Sequence, residues 1–192
     1  MQTLYLMRHG QTLFNQLKKI QGWCDAPLTE LGIQQAKIAG EYFKDNHIEL
    51  ESAYSSTAER ASDTLELITD LPYKRLKGIK ERGFGRFEGE PEFLNPKLPY
   101  GDFFVPYGGE GEQEFQDRVV QTIGDLMAND AHETILAVAH GAVCASFMRY
   151  WTPEEQWHRF KGFTNCSILK FTYDEGRFDL QEVINHDFSA IM

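Results

Sequence analysis

Arg8, His9 and Gly10 set a permanent cation, an imidazole and a glycine side by side, directly after the apolar run Leu4-Tyr5-Leu6-Met7. Such a run is what a buried strand requires. In open α/β sheets ligands bind in the crevice beyond the carboxyl ends of strands, so the triplet stands where chemistry is expected. The Arg8 guanidinium is a planar fork of donors suited to phosphate, and Gly10 allows a sharp turn and a close backbone approach to a ligand. The simplest ligand for this corner is an oxyanion. Alone, the triplet also fits a surface turn, because short motifs recur by accident. A second stretch strengthens the chemical reading. Thr134 to Ala139, TILAVA, is again apolar and is followed at once by His140 and Gly141. Two strands ending alike on one sheet edge can set two imidazoles around one ligand.

Two further charged residues stand out by context. Ala53-Tyr54-Ser55 reads as a short strand, and Ser56-Thr57-Ala58-Glu59 has the capping-box pattern of a helix start. Arg60 then falls in the first turn, where a cation opposes the helix dipole. A phosphate bound at that terminus would justify it, and a surface pair with Glu59 or Asp63 is the alternative. Glu81 lies in Lys80-Glu81-Arg82-Gly83-Phe84-Gly85-Arg86-Phe87-Glu88-Gly89, whose three glycines predict a tightly folded loop with aromatic cover. A lone loop glutamate is ordinarily a solvated charge.

The elements that must position these residues follow from periodicity. Thr29 is an N-cap for a helix from Glu30 to about Asn46, with Ala36, Ala39, Gly40 and Phe43 on one small-residue face. Ala61, Leu65 and Ile68 mark the buried side of the next helix, and Tyr73 to Leu76 is a third strand. Glu112 to Met127 is a helix with Phe115, Val119, Ile123 and Leu126 inward. His140-Gly141 opens another, with Val143, Phe147 and Tyr150 or Trp151 inward. Cys166 to Tyr173 and Arg177 to Ile184 form two strands joined at Asp174-Glu175-Gly176, a hairpin that adds an antiparallel edge. The expected fold is α/β: a three-layer sandwich with a mostly parallel central sheet and helices on both faces. Residues 90–111, rich in Pro, Gly and aromatics, form an irregular insertion, and the whole of 1–192 is expected to be one domain.

The net charge of −10, with acidic residues scattered, argues against nucleic acid and against a polybasic membrane contact. Positive potential for an anionic substrate must therefore be local. Cys24, Cys144 and Cys166 are widely spaced, odd in number and in no metal-ligand pattern. No apolar run approaches the length of a membrane span and no leader-like segment opens the sequence, so a cytoplasmic address is expected.

In chain order, Leu6-Met7-Arg8-His9-Gly10-Gln11-Thr12 with Asn15, Gln21-Gly22-Trp23, Asp25, Pro27-Leu28-Thr29, Ser55-Ser56, Arg60-Ala61, Glu81, Phe84-Gly85, Glu88-Gly89, Gly108-Gly109-Glu110 and Ala139-His140-Gly141 resemble the histidine phosphatase superfamily, whose branches include cofactor-dependent phosphoglycerate mutases and many phosphatases. The resemblance implies that His9 is a nucleophile forming a phosphohistidine. Arg8, Arg60 and His140 would surround the phosphoryl oxygens, with Asn15, Gln21 and Gly22 also binding, and Glu81 would be the proton donor. It implies no cofactor and no metal. Arg8 beside His9 should disfavour the imidazolium, and the second ring nitrogen should donate to a backbone carbonyl. Phe84 and Phe87 are the expected apolar neighbours of Glu81. The Phe84-Gly85-x-Phe87-Glu88-Gly89 form resembles the phosphatase branches, so the expected activity is hydrolysis of a small phosphorylated metabolite. A phosphomutase and a non-catalytic phospholigand-binding regulator are the alternatives. Residues 90–111 would cap the site and set specificity, or instead form an aromatic patch for a homodimer. Lys18, Lys19, Arg82 and Arg86 are candidate substrate contacts; His47, His132, His158 and His186 fit no motif.

Overall fold

The computed structural model describes residues 1–157 and 162–191, so His158 lies outside the described residues. Six strands form one sheet: β1 (Gln2–Arg8), β2 (Ser52–Ser56), β3 (Tyr73–Leu76), β4 (Thr134–Ala139), β5 (Ile168–Asp174) and β6 (Arg177–Ile184). Their spatial order is β3-β2-β4-β1-β5-β6. The first four are parallel, and β5 and β6 run antiparallel along one edge. At the hairpin, Glu175 and Gly176 both have positive φ, 45° and 87°, the pair a two-residue type I′ turn needs. The helices are α1 (Leu13–Gln16), α2 (Glu30–Asp45), α3 (Glu59–Glu66), α4 (Glu112–Asn129), α5 (Gly141–Trp151) and α6 (Glu154–Trp157).

Strand alternation divides the core in two. Leu4 and Leu6, with Ile135, Ala137, Leu169 and Phe171, meet Phe115, Val119, Ile123 and Phe147 from α4 and α5. Tyr5 and Met7, with Leu136, Val138 and Ile168, meet Ala36, Ala39, Phe43, Ala61 and Leu65 from α2 and α3 on the opposite face. The central strands are buried on both sides, which is why they read as unbroken apolar runs. Each fully buried Leu or Met here contributes about 1.5–3 kcal/mol. Among the described residues no helix is long and apolar enough to cross a membrane.

One local expectation is corrected and one alternative is resolved. Ser56 does not build a capping box: α3 begins after Ala58, which offers no side-chain cap, because the Ser56 hydroxyl is engaged elsewhere. Tyr150 is half-exposed on α5, while Trp151 packs against Phe147 and Phe178. Residues 90–111 contain no α-helix or strand, only 3-10 turns at Glu92–Leu94 and Val105–Tyr107. Phe104 nevertheless is fully buried, with Phe84 and Ile20, in a small core separate from the two main ones.

Candidate active site

The parallel register brings the separated motifs together. β1 and β4 are neighbours with Arg8 opposite Ala139, and β2 flanks β4 with Ser55 opposite Val138. His9, His140 and Ser56 therefore leave three adjacent strands at one edge, and the two imidazole centroids lie 5.3 Å apart. His9 Nδ1 donates to the Gly10 carbonyl at 2.7 Å, which leaves Nε2 unprotonated in the neutral ring. The His9 carbonyl accepts from the Cys166 amide and from Asn165 Nδ2, both at 3.2 Å. Burial holds the His9 pKa well below its usual range, reinforced by Arg60 and then Arg8. Arg8 is thus the smaller of the two cationic influences. His9 is only 4% exposed, deeper than its place at a strand end suggests. Gly10 is small for packing: a Cβ there would sit 2.5 Å from the Gly32 carbonyl of α2.

Arg60 is fully buried and turned inward from the first turn of α3. Its Nε donates to His9 Nε2 at 3.3 Å, and Nη2 to the Gly22 carbonyl at 2.9 Å. Nη1 donates to the Cys24 carbonyl at 3.0 Å and to Asp25 Oδ1 at 2.9 Å. Its ion partner is therefore Asp25, not Glu59 or Asp63. Because that pair is buried on the Arg60 side, losing one member would cost about 3–5 kcal/mol. The Asp25 carboxylate also accepts the Glu59 amide at 2.5 Å, anchoring the start of α3.

Gly22 departs from its expected role. Its amide donates to Glu88 at 3.0 Å and its carbonyl holds Arg60, so it supports the site and offers no free donor to phosphate. Glu88 gathers four amides, those of Gly22, Trp23, Cys24 and Phe84, at 2.9–3.0 Å. Burial alone would raise its pKa, but hydrogen bonds from Cys24, Phe84 and Trp23 outweigh it and leave it lowered. The Cys24 thiol is pushed up to about 11, first by burial and then by Glu88. All three cysteines are free, and burial pushes Cys144 and Cys166 up as well.

His140 is wholly buried at the N-cap of α5. Ser56 Oγ accepts the Ala58 amide at 3.1 Å and shares a hydrogen bond with His140 Nε2 at 2.7 Å. The ring is neutral, because burial, then Arg60 and His9, hold its pKa well below the usual range. Its Nδ1 is buried without a protein partner.

Glu81 accepts the Arg82 amide on Oε1 at 2.9 Å and the Ala142 amide, in the first turn of α5, on Oε2 at 3.0 Å. Burial raises its pKa against the opposing pull of those amides and of Arg60 and Arg8. Its loop is fixed from behind: Arg118 donates to the Lys80 carbonyl at 3.0 Å and pairs with Glu110 at 2.7 Å, and Trp23 Nε1 donates to the Glu81 carbonyl at 3.0 Å. Phe87 packs instead with Phe103, Phe104 and Tyr107.

A cavity of about 330 Å³ opens above this floor. Arg8, Asn15, Gln21, Glu81 and Phe84 line it, together with Lys19 and with Glu92, Asn95 and Tyr100 of the insertion. Arg8 Nη1 donates to the Phe163 carbonyl at 2.9 Å, while Arg8 Nε and Gln21 Nε2 are buried without protein partners. Asn15 caps α1 reciprocally with Thr12, and its Oδ1 also accepts from Asn165 at 3.1 Å. Gln21 Oε1 accepts from the Thr12 hydroxyl at 2.6 Å, which aims its amide. Of the candidate contacts only Lys19 lines this cavity; Arg82 is held by the Glu110 and Gly101 carbonyls, and Lys18 and Arg86 lie outside it. His132 pairs with Asp130 and His186 packs between Tyr42 and Phe188, both away from the cavity. Asp25, Glu88, Glu110, Arg118 and Asn165 are supports that sequence reasoning gave no role, and Ser56 is a support that it read as a helix cap. Only their proximity in the fold reveals them. Among the described residues no three His, Cys, Asp or Glu side chains group as a metal would require.

Comparison with known proteins identifies the family. The profile of the histidine phosphatase superfamily (branch 1) matches residues 4–186, and the chain belongs to that family. It is 34% identical over 145 residues to the uncharacterized phosphatase PhoE of Bacillus subtilis (strain 168), covering 74% of this chain and 73% of that one. Over 161 residues it is 34% identical to a 2,3-bisphosphoglycerate-dependent phosphoglycerate mutase of Methylorubrum populi, covering 72% and 73%. The Entamoeba histolytica phosphoserine phosphatase, solved with 3-phosphoglyceric acid, superposes with a TM-score of 0.79 at 31% identity, covering 97% and 98% of the two chains. The family thus includes both phosphatases and phosphomutases.

Proposed function

We propose that the protein is a metal-independent phosphatase that hydrolyses a small phosphate monoester through a phosphohistidine on His9. The observation that carries this reading is a set of buried polar atoms left unpaired around one corner: His140 Nδ1, Arg8 Nε and Gln21 Nε2. Buried donors are ordinarily satisfied, and a tetrahedral anion meets several at once. A Cβ on Gly141 would lie 3.4 Å from Arg8 Nε, so that guanidinium sits against the N-terminus of α5, where the helix dipole also favours an anion.

In this reading His9 Nε2 attacks phosphorus and the P–O bond to the alcohol breaks. Glu81, whose pKa burial raises, gives its proton to the departing oxygen. The carboxylate so formed takes a proton from water, whose oxygen attacks the phosphohistidine and releases phosphate. The Nδ1–H bond to Gly10 stabilises positive charge on the ring while it carries the phosphoryl group, and Arg60 Nε lies beside the attacking nitrogen. Residues 90–111, reaching the cavity through Glu92, Asn95 and Tyr100, act as its cap.

The mutase relatives favour a second reading, transfer of the phosphoryl group to another hydroxyl. Arg8 and Lys19 line the cavity with one charged carboxylate, Glu92, while Glu81 holds its proton, and the Arg60 charge is matched by Asp25. That balance suits a ligand with one phosphate over one with two. Assay of inorganic phosphate from p-nitrophenyl phosphate and a metabolite panel tests the proposal. Steady release supports it, whereas isomerised 3-phosphoglycerate without release would establish the mutase.

A further inference from the structure

The phosphatase chemistry uses Arg8, Gln21 and Glu81 of this cavity, and the rest of its lining has an unusual composition. Asn95 Oδ1 is buried without a protein partner and faces a space also lined by Glu92, Lys19 and Tyr100. An amide end can turn, so the sign of this subsite is set by Glu92, an acceptor in every orientation. Glu92 is close enough to act electrostatically on Arg8 and on the Tyr100 hydroxyl. No salt bridge among the described residues neutralises Glu92, although Lys19 is nearby: the Glu92 amide donates to the Lys18 carbonyl at 2.8 Å, and Lys19 bridges to Pro91. Lys19 Nζ sits over the Phe14 ring, 5.5 Å from its centroid.

A carboxylate beside the mouth of an anion site repels any second anion placed near it. It is suited to a leaving group that brings a positive charge. From these groups we infer that the alcohol released is a small zwitterion: an ammonium group rests against Glu92 and Asn95 Oδ1, and a carboxylate reaches Lys19. The substrate class is the O-phosphorylated amino acid. A cavity of about 330 Å³, near the low end of ligand sites, fits a molecule of that size with its phosphate toward Arg8 and Glu81.

This inference rests on the phosphatase reading above, and one matched pair of esters separates the two. O-phosphoserine and 3-phosphoglycerate carry phosphate and carboxylate alike and differ only in an ammonium group against a hydroxyl. The wild-type kcat/KM should favour O-phosphoserine at least tenfold. Glu92→Gln, at an exposed position that does not threaten the fold, should shrink that ratio at least fivefold. Asn95→Leu should reduce O-phosphoserine turnover far more than p-nitrophenyl phosphate turnover. Lys19→Met should weaken O-phosphoserine more than phosphoethanolamine, which lacks the carboxylate. Hydrolysis of p-nitrophenyl phosphate with no preference within the matched pair, or a ratio unchanged in Glu92→Gln, overturns the zwitterion inference and leaves the phosphatase standing. Absence of phosphate release from every ester overturns both.

Discussion

Glu88→Gln tests whether the floor of the site is held from behind. Oε1 of Glu88 accepts the Trp23 and Phe84 amides, and Oε2 accepts those of Gly22 and Cys24. A glutamine keeps one oxygen and turns an NH2 group toward the other two amides, so two charge-assisted bonds are lost. Such bonds contribute about 1.5–3 kcal/mol each; because Glu88 is only partly buried the lower figure applies, and the fold should lose about 3 kcal/mol. The same loop supplies the Gly22 and Cys24 carbonyls that hold Arg60, whose Nε meets His9. The kcat/KM for p-nitrophenyl phosphate should therefore fall about tenfold, equivalent to about 1.4 kcal/mol of lost positioning. Urea unfolding at pH 7 and steady-state phosphate release measure the two effects. Since the folded Glu88 pKa is lowered, its stabilisation is present above the unfolded value of about 4.3 and lost as pH falls through the folded one. The gap between wild type and variant should close in acid. A variant within about 0.5 kcal/mol of wild type at pH 7, the range of an ordinary surface change, would refute the reasoning.

Three further outcomes follow from the same geometry. His9→Ala should abolish phosphate release and also cost about 1–3 kcal/mol in denaturant unfolding, since Arg60 Nε loses its acceptor inside the protein; retained turnover would remove the nucleophile assignment. Glu81→Gln should slow esters of poor leaving groups most and p-nitrophenyl phosphate least, and an equal loss for both would argue against an acid role. With Glu81 intact, kcat/KM should decline as pH rises through its raised pKa, because the first step uses the protonated form. His9 and His140 both have folded pKa values well below the unfolded value of about 6.5. Their contribution to stability is complete above that value and is lost as pH falls, at a slope approaching about 2.7 kcal/mol per pH unit for the pair. Calorimetry from pH 7 to pH 5 that found no such decline would contradict their burial as neutral rings.

The sequence by itself determined the elements and their polarity. Apolar runs bounded by His-Gly, the Thr29 cap with its Gly32 amide bond, and the Glu175-Gly176 turn are local patterns, and local patterns set strands, helix starts and hairpins. The proposed reacting groups were also legible, because Arg8-His9 and His140 terminate strands that a parallel sheet must align. What tertiary structure decided was how each charge is matched. Arg60 meets Asp25 across 35 residues, Glu88 collects amides 64–66 residues away, and Ser56 is diverted from capping α3 to a histidine 84 residues on. A side chain's hydrogen-bond partner depends on which backbone passes within about 3 Å of it. Residue type limits the possible partners, and only the packing of sheet, helices and loops selects among them.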